Sequence, residues 1–126
     1  MKTELAEQYY KDLKECEKTV GFYQDEIRVF EKSLKTIIKA NTKKEILAKV
    51  EHFQNQFILQ NEQFDMLHHD IRTEKSKIKS EILEKGSIIQ VIPTRKNHLV
   101  TEKVQSAEKI FQDTRKEFNR FLSETL

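Results

Sequence analysis

Residues 6–38 read AEQYYKDLKECEKTVGFYQDEIRVFEKSLKTII, and their apolar members recur at alternating gaps of three and four: Ala6, Tyr9, Leu13, Cys16, Val20, Tyr23, Ile27, Phe30, Leu34 and Ile37. That is a heptad seam. Seven residues in two turns is about 3.5 per turn, slightly under the roughly 3.6 of a straight α-helix, so the stripe winds slowly left-handed and packs best against a similar neighbour. The spacing predicts one helix over about residues 3–39, roughly 55 Å long at about 1.5 Å per residue. Gly21 falls inside it at a cost of about 1 kcal/mol relative to alanine, and is read as an exposed glycine that the helix tolerates.

Further along, Thr42 followed by Glu45 has the spacing of a capping box, in which the hydroxyl satisfies a first-turn amide and the carboxylate reaches back to the cap amide. A second seam then runs through Ile46, Val50, Phe53, Phe57, Gln60, Phe64, Leu67, Ile71, Glu74 and Ile78, predicting a helix over about 42–84. So short a connection makes the two helices antiparallel neighbours. Residues 85–93 break the pattern with Gly86 and the β-branched run Ile88-Ile89-Gln90-Val91-Ile92, which reads as a loop. Ile88 and Ile92 also keep the heptad phase of Ile78, so a helix running on to Pro93 is the alternative. A third seam, Val100, Val104, Ala107, Phe111, Thr114, Phe118 and Phe121, predicts a helix over about 94–124.

Each helix has one apolar stripe that it cannot bury alone. The simplest structure that satisfies all three is an all-α, antiparallel up-down-up three-helix bundle with long coiled-coil-like helices, residues 1–126 forming a single domain. Ile27, Phe30, Phe57, Phe64, Phe111 and Phe118 are expected in its core. Composition agrees. Glycine and proline together number three, where ordinary usage would give about fifteen, too few turn-formers for a fold of many short strands. Charged residues make up 35% of the chain and hydrophobic ones 37%, which suits long thin helices rather than disorder.

The 23 basic and 21 acidic residues leave a net charge of +2, far from the balance of an electrostatic nucleic-acid binder. The last third is mildly basic through Arg95, Lys96, Lys103, Lys109, Arg115, Lys116 and Arg120, but Glu102, Glu108, Asp113 and Glu117 interrupt any stripe. Nucleic-acid association through this third helix is therefore only a third reading, ranked behind protein association and ligand binding. Uninterrupted apolar stretches run no longer than three residues, as at Phe57-Ile58-Leu59, against the roughly 20 of a membrane span. Cys16 is the single cysteine and no charged leader precedes an apolar run, so a cytoplasmic, reducing setting is the expectation.

Chemistry is sparse. His68 and His69 sit beside Asp65 and Asp70, with Glu62 one turn back, but a stable metal centre needs at least three converging ligands and the chain has no Glu-x-x-His pair of the kind that builds di-iron bundles. By the seam count His69 faces solvent and His68 stands at the core margin. Gln60 and Glu74 occupy seam positions, and Gln54, Asn55, Gln56, Asn61 and Gln63 give helix 2 a polar middle. That middle either fixes helix register, lines a small pocket, or simply reaches the rim of a narrow core. Cys16 lies on the seam as a small hydrophobe. No phosphate loop, paired cysteines or activated serine is present, so neither enzymatic activity nor a metal or cofactor is expected.

The reading that remains is a non-enzymatic cytoplasmic helical bundle acting through protein association, as a scaffold, adaptor or small chaperone-like subunit. A metal- or small-ligand-binding bundle using the polar middle of helix 2 is the alternative. Partner-binding residues are sought off the seams, at Phe22 and Val29, and in the β-branched run Ile88, Ile89, Val91 and Ile92. Leu59, Met66 and Leu99 also lie off the seams, and the third helix looks too short to shield the other two along their whole length. A symmetric dimer is the commonest closed assembly that would cover such surface.

Overall fold

Three helices carry the three seams: α1 spans Lys2–Ala40, α2 Lys44–Lys85 and α3 Arg95–Thr125. The computed structural model describes the backbone of residues 2–85 and 95–126 and the side chains of residues 6–80 and 100–126. Lys85 is the last residue of α2, whereas Ile88, Ile89, Val91 and Ile92, and with them the choice between loop and helix from residue 86 to 93, lie outside the described residues. Among the described residues there is no strand, and the molecule is an all-α three-helix bundle.

The aromatic side chains fix its register. Tyr23, Phe64 and Phe111 meet in one layer, with ring centroids 5.8 Å apart for Tyr23 and Phe64, 5.1 Å for Tyr23 and Phe111, and 6.2 Å for Phe64 and Phe111. One heptad along, Phe30, Phe57 and Phe118 form the next, at 5.7, 4.7 and 5.2 Å. From the first layer to the second, residue numbers rise by seven in α1 and α3 and fall by seven in α2. The chain therefore runs up, down and up, with each layer fed by all three helices. Between the layers lie Ile27, Gln60 and Thr114, where the Gln60 amide donates to the Thr114 hydroxyl at 2.8 Å. Phe57, Phe64, Phe111, Phe118 and Ile27 are fully buried, whereas Phe30 is only half-buried and packs against the core from its edge.

This register corrects one expectation in part. Tyr23 to Phe111 and Phe30 to Phe118 share an offset of 88 residues (111 less 23, 118 less 30). Carried along the parallel pair, Arg95–Thr125 stands level with residues 7–37 of α1, nearly the whole seam from Ala6 to Ile37. Along the antiparallel pair, Phe64 with Phe111 and Phe57 with Phe118 set Arg95–Thr125 level with residues 50–80 of α2, so α3 spans most of both seams and leaves Ala6 of α1 and Ile46 of α2 just past its ends.

The first connection also differs from the expected capping box. The Lys43 carbonyl accepts the Leu47 N–H at 3.0 Å, which makes Lys43 the cap residue and places Glu45 in the second helical position, one short of where a reciprocal carboxylate belongs. Thr42 is exposed. The turn is closed from the other side, where the Asn41 side-chain amide donates to the Ile37 carbonyl at 3.1 Å and satisfies one of the orphan acceptors at the end of α1. Gly21 is helical, and a Cβ added there would meet nothing within 4 Å.

Candidate functional site

Polar side chains flanking the seams decide which helix meets which. On α1 the residues facing the outer edge of α2 recur every seven, at Glu17 and Gln24. Glu17 pairs with Lys75 at 3.1 Å and stands 3.6 Å from His68 Nε2. Gln24, 7% exposed, donates to Asp65 at 2.6 Å and to Asn61 at 3.2 Å. Burial alone would raise the Glu17 carboxyl, but Lys75, His68 and Arg72 outweigh it and hold the group below its ordinary range.

The α1–α3 flank is built differently. Arg115 clasps Glu26 with two parallel N–H donors, the Nη2 bond measuring 2.8 Å, and its guanidinium stacks 5.4 Å from the ring centroids of both Tyr23 and Phe111. Such a fork over aromatic faces uses the planarity that a lysine lacks. The Tyr23 hydroxyl donates to Glu108 at 2.9 Å and accepts from Gln112 at 3.1 Å. Burial and the Glu108 carboxylate push the Tyr23 hydroxyl up, the Gln112 donor working against them. Tyr9, lower in the bundle, is pushed up further by burial and by the Glu74 carboxylate it bonds. Glu74, unexpected in a seam, thus finds Tyr9 of α1 together with Lys77 of its own helix at 3.3 Å.

The sequence-level candidates for chemistry do not converge. Asp65 is engaged by Gln24, His68 by Glu17, and His69 and Glu62 are exposed. Among the described residues no three His, Cys, Asp or Glu side chains come together in a way that holds a metal ion. Cys16 is half-buried, and burial, followed by Asp12, Glu108 and Glu15, raises its thiol above the ordinary value. That is the opposite of the electropositive setting that makes a thiolate. The polar middle of α2 is partly consumed by Gln60 to Thr114 and by Asn61 and Asp65 to Gln24, while Oε1 of Gln56 and of Gln60 is buried with no hydrogen-bond partner.

Exposed apolar side chains lie off the seams. Phe22 is 62% exposed and Val29 58%, seven residues apart on α1. They sit beside Tyr23 and Glu26, the edge that meets α3. On α2, Leu59 at 65% and Met66 at 68% repeat the spacing beside the edge that meets α3 from the other side, and half-exposed Ile110 of α3 stands level with Phe64 there. The side chain of Leu99 lies outside the described residues. No helix among the described residues is long and apolar enough to cross a membrane.

The flanking pairs were missed at the sequence level, although a signal for them was present: the e-type positions Tyr10, Glu17 and Gln24 repeat with the seam, as do Asn61, His68 and Lys75. Comparison with protein-family models, with curated proteins and with solved structures gives no match to this chain, so its function is argued from its own residues.

Proposed function

We propose that this chain is a non-enzymatic, cytoplasmic helical-bundle protein that works by protein–protein association, as a scaffold, adaptor or small chaperone-like subunit. One observation carries the reading: Phe22 and Val29 remain mostly exposed on a bundle whose three seams, among the described residues, already form one core without them. Fully burying a large apolar side chain is worth about 1.5–3 kcal/mol, so a partner that covers this strip gains affinity without disturbing the fold. Leu59, Met66 and Ile110 offer a second strip of the same kind. A symmetric dimer is the simplest assembly that buries the same strip twice. The cytoplasmic assignment rests on the unpaired Cys16, which fits a reducing compartment.

Sedimentation equilibrium over a wide concentration range tests the homo-oligomeric form, and affinity capture from the native cell tests the hetero-partner form. A concentration-dependent dimer or a stoichiometric co-purifying protein supports the proposal. A monomer at every concentration that captures nothing stoichiometric overturns it.

A further inference from the structure

α3 covers one side of the α1–α2 pair. Away from it, where α1 begins and α2 finishes, Ala6, Tyr10, Lys14, Ile78 and Lys79 line an open groove of about 400 Å³, with Glu7 and Lys11 on its rim. The floor is apolar, since Ala6 and Ile78 belong to the buried core and Tyr10 packs half-buried against it. Its edge is cationic. The Nζ atoms of Lys14, Lys75 and Lys79 lie 5.7, 5.6 and 6.0 Å from the centroid of the Tyr10 ring. Lys75 is neutralised by Glu17, but among the described residues Lys14 and Lys79 make no ion pair, and Glu7 is the one carboxylate on the rim of the groove.

We infer that this groove seats an acidic amphipathic helix of a partner protein, an inference that rests on the association reading and names the chemistry of the partner. The lining on α1 runs from residue 6 to residue 14, about two helical turns or roughly 12 Å. That length takes successive apolar anchors from one face of an incoming helix, laid against α1 and α2 as α3 is laid on their other side. Carboxylates flanking those anchors meet the lysines on either side of Tyr10. A second copy of the chain is a poor occupant, because a two-fold contact through this groove sets the same lysines against one another. Nucleic acid fits less well, since the cations crowd around one ring above an apolar floor. Farther along, the α1–α2 face turns to Gln24, Asn61 and Asp65 rather than continuing as a basic track.

The probe is a synthetic helical peptide with leucines at i, i+3, i+4 and i+7 and glutamates on both flanks, titrated into the full ¹⁵N-labelled chain. A control peptide has lysines in place of the glutamates, and a thymidine oligonucleotide serves as competitor. The expected result is shifts confined to residues 6–14 and 75–79, weakening with salt, with an affinity about tenfold lower for Lys14→Glu/Lys79→Glu. An unchanged melting temperature of that variant shows that the fold is retained. Absence of shifts in the groove, equal binding of the control peptide or of the doubly reversed variant, or displacement of the peptide by the oligonucleotide overturns the inference. Those outcomes leave association through Phe22 and Val29 intact, because sedimentation and capture read it separately.

Discussion

Replacing Phe118 with alanine removes the ring that holds all three helices at one level. The side chain is fully buried, with its centroid 4.7 Å from Phe30 of α1 and 5.1 and 5.2 Å from Phe53 and Phe57 of α2. Buried Phe→Ala changes cost about 3–5 kcal/mol, the lost transfer energy plus the cavity left behind. Here four aromatic neighbours, Phe121 included, face the void, and rigid rings on three separate helices cannot all collapse into it. We expect a loss near 4 kcal/mol, a large part of the roughly 5–15 kcal/mol that holds a domain together. Urea titration followed by far-UV circular dichroism should show the midpoint falling with the slope unchanged, and the melting temperature should drop by roughly 15 °C. Phe22→Ala, at a position 62% exposed, is the internal control and should cost no more than about 0.5 kcal/mol. A Phe118→Ala loss below about 1 kcal/mol, or equal losses at the two positions, would refute the layered core.

Gly21→Ala should stabilise the protein by about 1 kcal/mol, because the added methyl meets nothing within 4 Å and a helical glycine is replaced by the best helix former; a lowered urea midpoint would mean that the site is crowded. A double-mutant cycle on Glu26 and Arg115, whose side chains are 19% and 29% exposed, should return a coupling of about 1–2 kcal/mol, while the same cycle on exposed Glu15 and Lys18 should return a value near zero. Glu17→Gln should destabilise the protein at neutral pH. The folded carboxyl is held below its unfolded value, so its contribution is present above the ordinary carboxylate range and lost as pH falls through the folded value. The gap between variant and wild type measured by urea titration should therefore close in acid, and a gap that stayed constant would show that Lys75 and His68 do not favour the charged form.

The seams were legible in the sequence because a heptad stripe is sampled ten times along each of the first two helices and seven times along the third. One misplaced residue such as Gln60 or Glu74 does not erase the period. Tyr23, Phe64 and Phe111 could be assigned to the core without knowing that they touch. What the stripe does not specify is which flank of a helix meets which neighbour, because a three-helix bundle can turn in either direction from the same three seams. For that reason Glu26 with Arg115, Glu17 with Lys75 and the lysines around Tyr10 were not foreseen. Length misled for a related reason: α3 is shorter than α1, but the register places its residues against the seam and leaves the surplus of α1 at the ends. The Thr42 motif had the right residues at the right spacing, yet Asn41 closes α1 first, and the cap falls one residue later, on Lys43.

The proposed association rests on residues that the core does not use, and the double variant Phe22→Lys/Val29→Lys tests that separation most directly. Both positions are exposed and outside the core, so lysine should leave the urea midpoint within about 0.5 kcal/mol of the wild type. The same change places two charges in the proposed interface. Sedimentation equilibrium and native-cell capture, run side by side on variant and wild type, should show the wild-type assembly lost in the variant with its melting curve unchanged. An assembly that survives the double substitution undiminished would contradict the assignment of this strip as the binding surface.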